Sequence, residues 1–204
     1  MPDEYRRAST RPLVPEPWCK QLVHVTINRP DSDCNNEMKS DSEVRGEAAM
    51  EEAGRSLARW LIENGKLAGA VIFLSGELGA GKTTFCRGFL RECGVADRIK
   101  SPTYTLLEQY STNHARVCHL DLYRIDESDE LEFLGFRELL EDEACLLIEW
   151  PERVPELDAL ATIRLVISHI DHLSRHLSIR STDSTAISTS SQPAFDPAAV
   201  DPER

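Results

Sequence analysis

The 204-residue chain has six scattered cysteines but no CxxC pair. That argues against a zinc module or a disulfide framework. Cys86, Cys118 and Cys145 lie inside apolar runs and read as small core residues, as a reducing compartment allows. The opening residues hold no apolar stretch of signal-peptide length, and no later run approaches a membrane span. A cytoplasmic protein with no membrane partner is expected. Basic residues are scarce: 23 Lys and Arg face 35 Asp and Glu, a net charge of −12. Such a chain is not expected to grip nucleic acid unaided, since polyanion binding needs a concentration of positive charge. Between Asp126 and Asp158, 13 carboxylates meet only Arg137 and Arg153, which reads as a solvated face or as a docking surface for a basic partner. No NKxD segment supports guanine specificity, and no arginine-rich lid of the kind used by small-molecule kinases is present. Arg124, Arg137 and Arg153 stand singly and read as surface residues.

The chain also divides by composition. Residues 1–40 are proline-rich and aperiodic and are expected to be disordered, although "LVHVTI" at 22–27 could form an edge strand. The tail at 182–204 is rich in Ser, Thr and Pro and is expected to be disordered as well. The domain is therefore placed at 41–181. Within it, "SEVRGEAAMEEAGRSLARWLIENG" predicts a helix capped by Asp41 or Ser42 and stopped at Gly65. "AVIFLSG" predicts a buried strand, and a helix is expected from Gly81 to about Cys93. "LLEQY" and "RVCHLDLY" flank a polar turn and predict a close strand pair. "ESDELEFLGFRELLEDE" predicts one acidic helix, or two divided near Gly135. "ACLLIEW" is a short buried strand ended by Pro151, and "TIRLVISH" with "SRHLSIR" forms a final hairpin. This alternation predicts an α/β domain whose central, partly parallel sheet is covered by helices and ends in a β-hairpin.

The most informative stretch is "AVIFLSGELGAGKTTFCRGFL", residues 70–90. Gly76, four residues, then Gly81, Lys82 and Thr83 fit the P-loop pattern, preceded by a strand and followed by a helix as that reading requires. Glycines accept the backbone angles that turn successive N–H groups inward, and their missing side chains admit phosphate oxygens. The helix adds the free N–H groups and partial positive charge of its N-terminus. Glu77, Leu78, Gly79, Ala80, Gly81, Lys82, Thr83 and Thr84 are thus the expected phosphate-binding set, with Thr84 otherwise simply the next helix residue. Lys82 is expected to reach the β- and γ-phosphates, and the Thr83 hydroxyl to ligate Mg²⁺. Two carboxylates qualify as metal-side or catalytic acids. Asp121 follows "VCHL" and Glu149 follows "CLLI", each at the end of a short apolar strand whose tip would reach the rim of the loop. Asp121 suits the metal side, and Glu149 suits orienting the attacking water or completing the Mg²⁺ shell; chain order alone does not apportion the two roles.

Four stretches in this order, "GELGAGKTTFCRGFL", "SPTYTLLEQY", "HLDLYRI" and "LIEWPERV", resemble the TsaE (YjeE) family, the bacterial ATPases of tRNA threonylcarbamoyladenosine biosynthesis. The resemblance runs from Glu43 to about Arg180. It implies an ATP- and Mg²⁺-binding domain in which Thr103 of "SPT" lies near the metal and γ-phosphate, Asp121 is the acidic metal-site residue, Glu149 the catalytic glutamate, and Trp150 a contact to nucleotide or partner. Without it, "SPT" reads as a simple turn and Trp150 as core. His119 belongs to the same motif but is expected to face the sheet interior rather than act as an acid or base. The resemblance further implies slow ATP hydrolysis by the isolated protein, TsaD and TsaB as partners, and tRNA reached only through that assembly. The alternatives are a P-loop small-molecule kinase and a non-catalytic nucleotide sensor.

Overall fold

The computed structural model describes residues 38–125 and 129–181. The expected disorder of residues 1–37 and of the tail, and the possible strand at 22–27, lie outside the described residues. A seven-stranded sheet carries the fold, in the order β1-β7-β6-β2-β5-β4-β3. The strands are β1 (Met38–Arg45), β2 (Val71–Gly76), β3 (Leu107–Ser111), β4 (Arg116–Asp121), β5 (Cys145–Glu149), β6 (Ile163–His169) and β7 (Ser174–Ser181). β2 runs parallel to β5 and β6, and β4 runs parallel to β5. The β3–β4, β6–β7 and β1–β7 pairs are antiparallel. The expected α/β class, partly parallel sheet and closing hairpin are thus present. Among the described residues no helix is long and apolar enough to cross a membrane.

One expectation fails at the start of the domain. Asp41 and Ser42 do not cap a helix; they sit inside β1, which begins at Met38, within the stretch expected to be disordered. Helix α1 (Gly46–Glu63) starts after Arg45 with no side-chain cap. Ser40 and Ser42 are buried and Glu43 exposed, so the two-residue period of a strand is there, written in hydroxyls instead of hydrocarbons. The outer edge of β7 supplies the partner that fixes it, pairing Met38 with Ser181 through to Arg45 with Ser174. The acidic segment forms two short helices, α3 (Glu130–Phe133) and α4 (Phe136–Glu141), parted at Gly135 with φ of 69°.

The sheet separates two cores by residue parity. Ile72 and Leu74 of β2, Val117 of β4, and Cys145 and Leu147 of β5 face α1 and the helix that follows the glycine loop, α2 (Lys82–Glu92). Val71, Phe73, Cys118, Leu120, Leu146 and Ile148 face α3, α4 and the segment after β5. On one side, α1 and α2 pack almost backbone to backbone. A Cβ on Gly88 would stand 1.9 Å from the Glu51 carbonyl oxygen, and one on Gly54 would stand 2.1 Å from that of Phe85. Arg59 adds a two-pronged bond to Glu92 across this crossing (2.8 and 3.1 Å), and Arg87 bonds Glu47 and Glu51.

Candidate functional site

The same parity places the functional side chains. Position 119 is two residues from 117 and 121 on β4, and Glu149 is two residues beyond Leu147 on β5, so His119, Asp121 and Glu149 all face the α2 side. Asp121 and Glu149 are register partners at the carboxyl ends of adjacent parallel strands, and α2 begins opposite them.

The loop between β2 and α2 needs its glycines at two points. Gly76 has φ of 147°, and a Cβ there would stand 2.3 Å from the Ile167 carbonyl oxygen; Gly81 has φ of 111° and precedes the first turn of α2, whose Phe85 N–H it accepts at 2.9 Å. Ala80 is buried and its N–H turns back to the Glu77 carbonyl (3.1 Å). Glu77, Leu78 and Gly79 form the exposed crest, with the Leu78 side chain turned out to solvent, so Leu78 and Gly79 have only main-chain groups to offer a polar ligand. Thr84 is half-buried on the first turn of α2.

Lys82 is buried, and its ammonium donates to the Gly76 and Glu77 carbonyls at 2.7 and 3.0 Å. It also lies 3.7 Å from the centroid of the Trp150 ring. Burial pulls the Lys82 pKa below the usual lysine value, and the carboxylates of Glu149, Glu152 and Asp121 oppose that fall. Trp150 holds the left-handed conformation (φ 59°, ψ 46°) where β5 ends, directly before Pro151. It packs on Tyr123 with ring centroids 5.0 Å apart.

Two hydroxyl–carboxylate pairs complete the arrangement. Thr83 Oγ1 lies 2.8 and 3.2 Å from the two Glu149 oxygens, and Thr103 Oγ1 donates to Asp121 at 2.8 Å. The Asp121 carboxylate also accepts the Tyr123 N–H (3.1 Å), while the Asp121 N–H donates to the Leu106 carbonyl and so ties the "SPTYTL" segment to the end of β4. Ser101 and Thr103 exchange a 2.7 Å hydrogen bond. Asp121 and Glu149 are both buried. Four hard oxygen donors, from Thr83, Thr103, Asp121 and Glu149, therefore lie beside a buried lysine and a helix N-terminus. This donor set suits a hard divalent cation such as Mg²⁺.

The sequence-predicted residues are thus brought together, and the structure adds four. His119 is wholly buried and its Nε2 lies 2.8 Å from Glu149 Oε1; the i, i+2 spacing to Asp121 was the signal that could have found it. Glu152 accepts a bond from the Ser75 hydroxyl and is among the charges acting on Lys82. Arg124 and Arg153, expected as isolated surface residues, stack on Tyr104 and Tyr123 at 4.6 and 5.4 Å, on the residues that border the site.

Against known proteins, the family model described as "Threonylcarbamoyl adenosine biosynthesis protein TsaE" matches residues 44–177. The chain belongs to the TsaE family. It is similar to the tRNA threonylcarbamoyladenosine biosynthesis protein TsaE of Haemophilus influenzae, with 40% identity over 124 residues, 59% of this chain and 78% of that protein. The protein of that name from Rickettsia felis is 38% identical over 130 residues, 63% of this chain and 75% of its own. Among solved structures, Bacillus subtilis YdiB shares the fold with a TM-score of 0.54, at 22% identity over 74% of this chain and 89% of that one. Family and fold together imply a nucleotide-binding protein of tRNA threonylcarbamoyladenosine biosynthesis.

Proposed function

We propose that this chain binds ATP with Mg²⁺ and hydrolyses it, as the ATP-consuming subunit of the cytoplasmic machinery that makes tRNA threonylcarbamoyladenosine. TsaD and TsaB are its partners, and it meets tRNA only through that assembly. The observation that carries the reading is the convergence of Lys82, two threonine–carboxylate pairs and the N-terminus of α2 on one end of the parallel strands.

The loop N–H groups and the α2 N-terminus bind phosphate oxygens, with no side chain in the way at Gly76, Gly79 and Gly81. Lys82 is pre-set by the Gly76 and Glu77 carbonyls and adds a full positive charge that its burial leaves weakly screened. By donating its proton to Glu149, the Thr83 hydroxyl turns its lone pairs outward, and Thr103 does the same against Asp121. Mg²⁺, when bound by these oxygens, supplies charge neutralisation for the phosphates. Water attacks the γ-phosphorus in line, the bond to the ADP oxygen breaks, and ADP and phosphate leave. Glu149 orients that water and Asp121 serves the metal side. Arg124 and Arg153 are engaged with the tyrosine rings of Tyr104 and Tyr123 and do not serve as arginine fingers, so the isolated chain is a slow ATPase that its partners complete.

The test is Mg²⁺-dependent phosphate release by the full chain with and without purified TsaB and TsaD, alongside Glu149→Ala. Stimulation by the partners, and a variant that binds ATP without hydrolysing it, is the expected result. Equal turnover in both conditions would refute the partnership. Phosphate passing to a small acceptor would reveal a kinase, and full tRNA modification by Glu149→Ala would leave only a sensor.

A further inference from the structure

We infer that His119 is a positioning residue that holds the Glu149 carboxylate in the orientation from which it receives the Thr83 hydroxyl. The inference rests on the proposed role of Glu149 in hydrolysis. Among the described residues, Glu149 accepts side-chain hydrogen bonds from two groups only, Thr83 Oγ1 and His119 Nε2, each 2.8 Å from Oε1. A buried carboxylate has room for about four such bonds, so each of the two weighs heavily on where it points. His119 itself is wholly enclosed, out of reach of any nucleotide, and can act only through Glu149.

The chemistry of the ring fixes the direction of the bond. A carboxylate only accepts, so the proton sits on Nε2. Nδ1 is buried with no partner among the described residues. A proton on Nε2 alone leaves Nδ1 a bare buried acceptor, which is tolerated better than an orphaned N–H there. Without this donor, the Glu149 charge is left with Thr83 and the attraction of Lys82, on which Glu149 acts more strongly than Glu152 or Asp121 does. Glu149 then swings toward Lys82 and deserts Thr83.

Side-chain length separates this role from simple core packing. The amide nitrogen of Gln stands as far from the backbone as His Nε2, whereas that of Asn matches Nδ1. His119→Gln keeps the donor where Glu149 needs it; His119→Asn and His119→Leu do not. In the full chain, with TsaD and TsaB present, kcat for ATP falls about 10- to 100-fold in the Asn and Leu variants, the equivalent of one lost hydrogen bond to a buried charge. KM and ADP affinity stay within about twofold, and His119→Gln restores most of kcat. A second measurement needs neither substitution nor ATP: ¹⁵N NMR of the nucleotide-free wild-type imidazole finds a proton on Nε2. Unchanged kcat in His119→Leu, Gln behaving like Leu, or a proton on Nδ1 alone would overturn the inference. A wild-type chain that hydrolyses no ATP would instead refute the functional reading, while the NMR result would still decide whether His119 holds Glu149.

Discussion

Adding a single methyl group at Gly88 tests whether the α1–α2 crossing sets the position of the phosphate loop. In an open helix, Gly→Ala is stabilising by about 1 kcal/mol because Ala loses less backbone entropy. Here the new Cβ would stand 1.9 Å from the Glu51 carbonyl oxygen and 2.6 Å from its carbon, where ordinary contact begins near 3.4 Å. The helices must part by about 1.5 Å to admit it. The obstacle is helix backbone, which has no rotamer to escape into. Parting the helices also stretches the bonds of Arg59 to Glu92 and of Arg87 to Glu47 and Glu51. Overpacking of this kind costs about 1–3 kcal/mol or more, so it outweighs the propensity gain. Because the obstacle is rigid backbone, the upper end of that cost applies, leaving Gly88→Ala about 2 kcal/mol less stable after the propensity gain, with Tm lower by about 4–8 °C for a domain of this size. The site should suffer too, because Lys82 and Thr83 lie on the same short helix and the 2.8 Å bond from Thr83 to Glu149 cannot span an extra ångström. A misplacement of that size costs about 100-fold in turnover. Urea unfolding and ATP hydrolysis on the same preparation measure both effects. Gly54→Ala should behave alike, and the double variant should be less than additive because one separation relieves both clashes. A Gly88→Ala protein as stable and as active as wild type would refute the reasoning.

Two more outcomes are expected. Thr83→Ala removes the proposed metal ligand and one of the two side-chain donors to Glu149, so its Mg²⁺-stimulated hydrolysis falls by about 100-fold or more, while nucleotide binding measured in EDTA changes little; Thr83→Ser, which keeps the hydroxyl, recovers most of the rate. Burial pushes the thiols of Cys93 and Cys118 up to about 12 and about 11, and those of Cys86 and Cys145 well above the usual 9.0. Above pH 9 the unfolded chain loses thiol protons that the folded chain keeps, so stability is full below pH 9 and declines as pH climbs toward 12. Each thiol steepens the slope by at most about 1.4 kcal/mol per pH unit. Denaturant midpoints that stay level from pH 8 to 11 would contradict this, as would alkylation of these four thiols in the native protein at pH 8.

What was legible in the sequence was whatever announces itself locally. The run from Ala70 to Leu90 carries its own evidence: strand-forming residues, then glycines where the chain must turn its N–H groups inward, then an apolar helical stripe. The strand β1 announced nothing, because "MKSDSEVR" alternates small hydroxyls with charges. Only the unpaired edge of β7 makes it a strand, and that edge lies more than a hundred residues away. Tertiary pairing overrode local propensity. Likewise, Asp41 and Ser42 are good capping residues whose position was claimed by the ladder before any helix could use them.

The site was legible in its residues but not in its pairings. Strand ends named Asp121 and Glu149, yet their partners depend on which face each strand turns to α2. Once β4 and β5 lie side by side in register, the odd-numbered residues 119, 121 and 149 must share a face, and the helix that starts at Lys82 can cover only one face. The parity that buries Val117 and Leu147 against α2 therefore delivers the carboxylates to Thr83 and Thr103, and His119 to Glu149, with no further instruction. That coupling also explains why His119 reads as an ordinary core histidine in the sequence. Its importance comes from a neighbour 30 positions away, and it becomes visible only when the spacing to Asp121 is read as a shared face instead of as a motif.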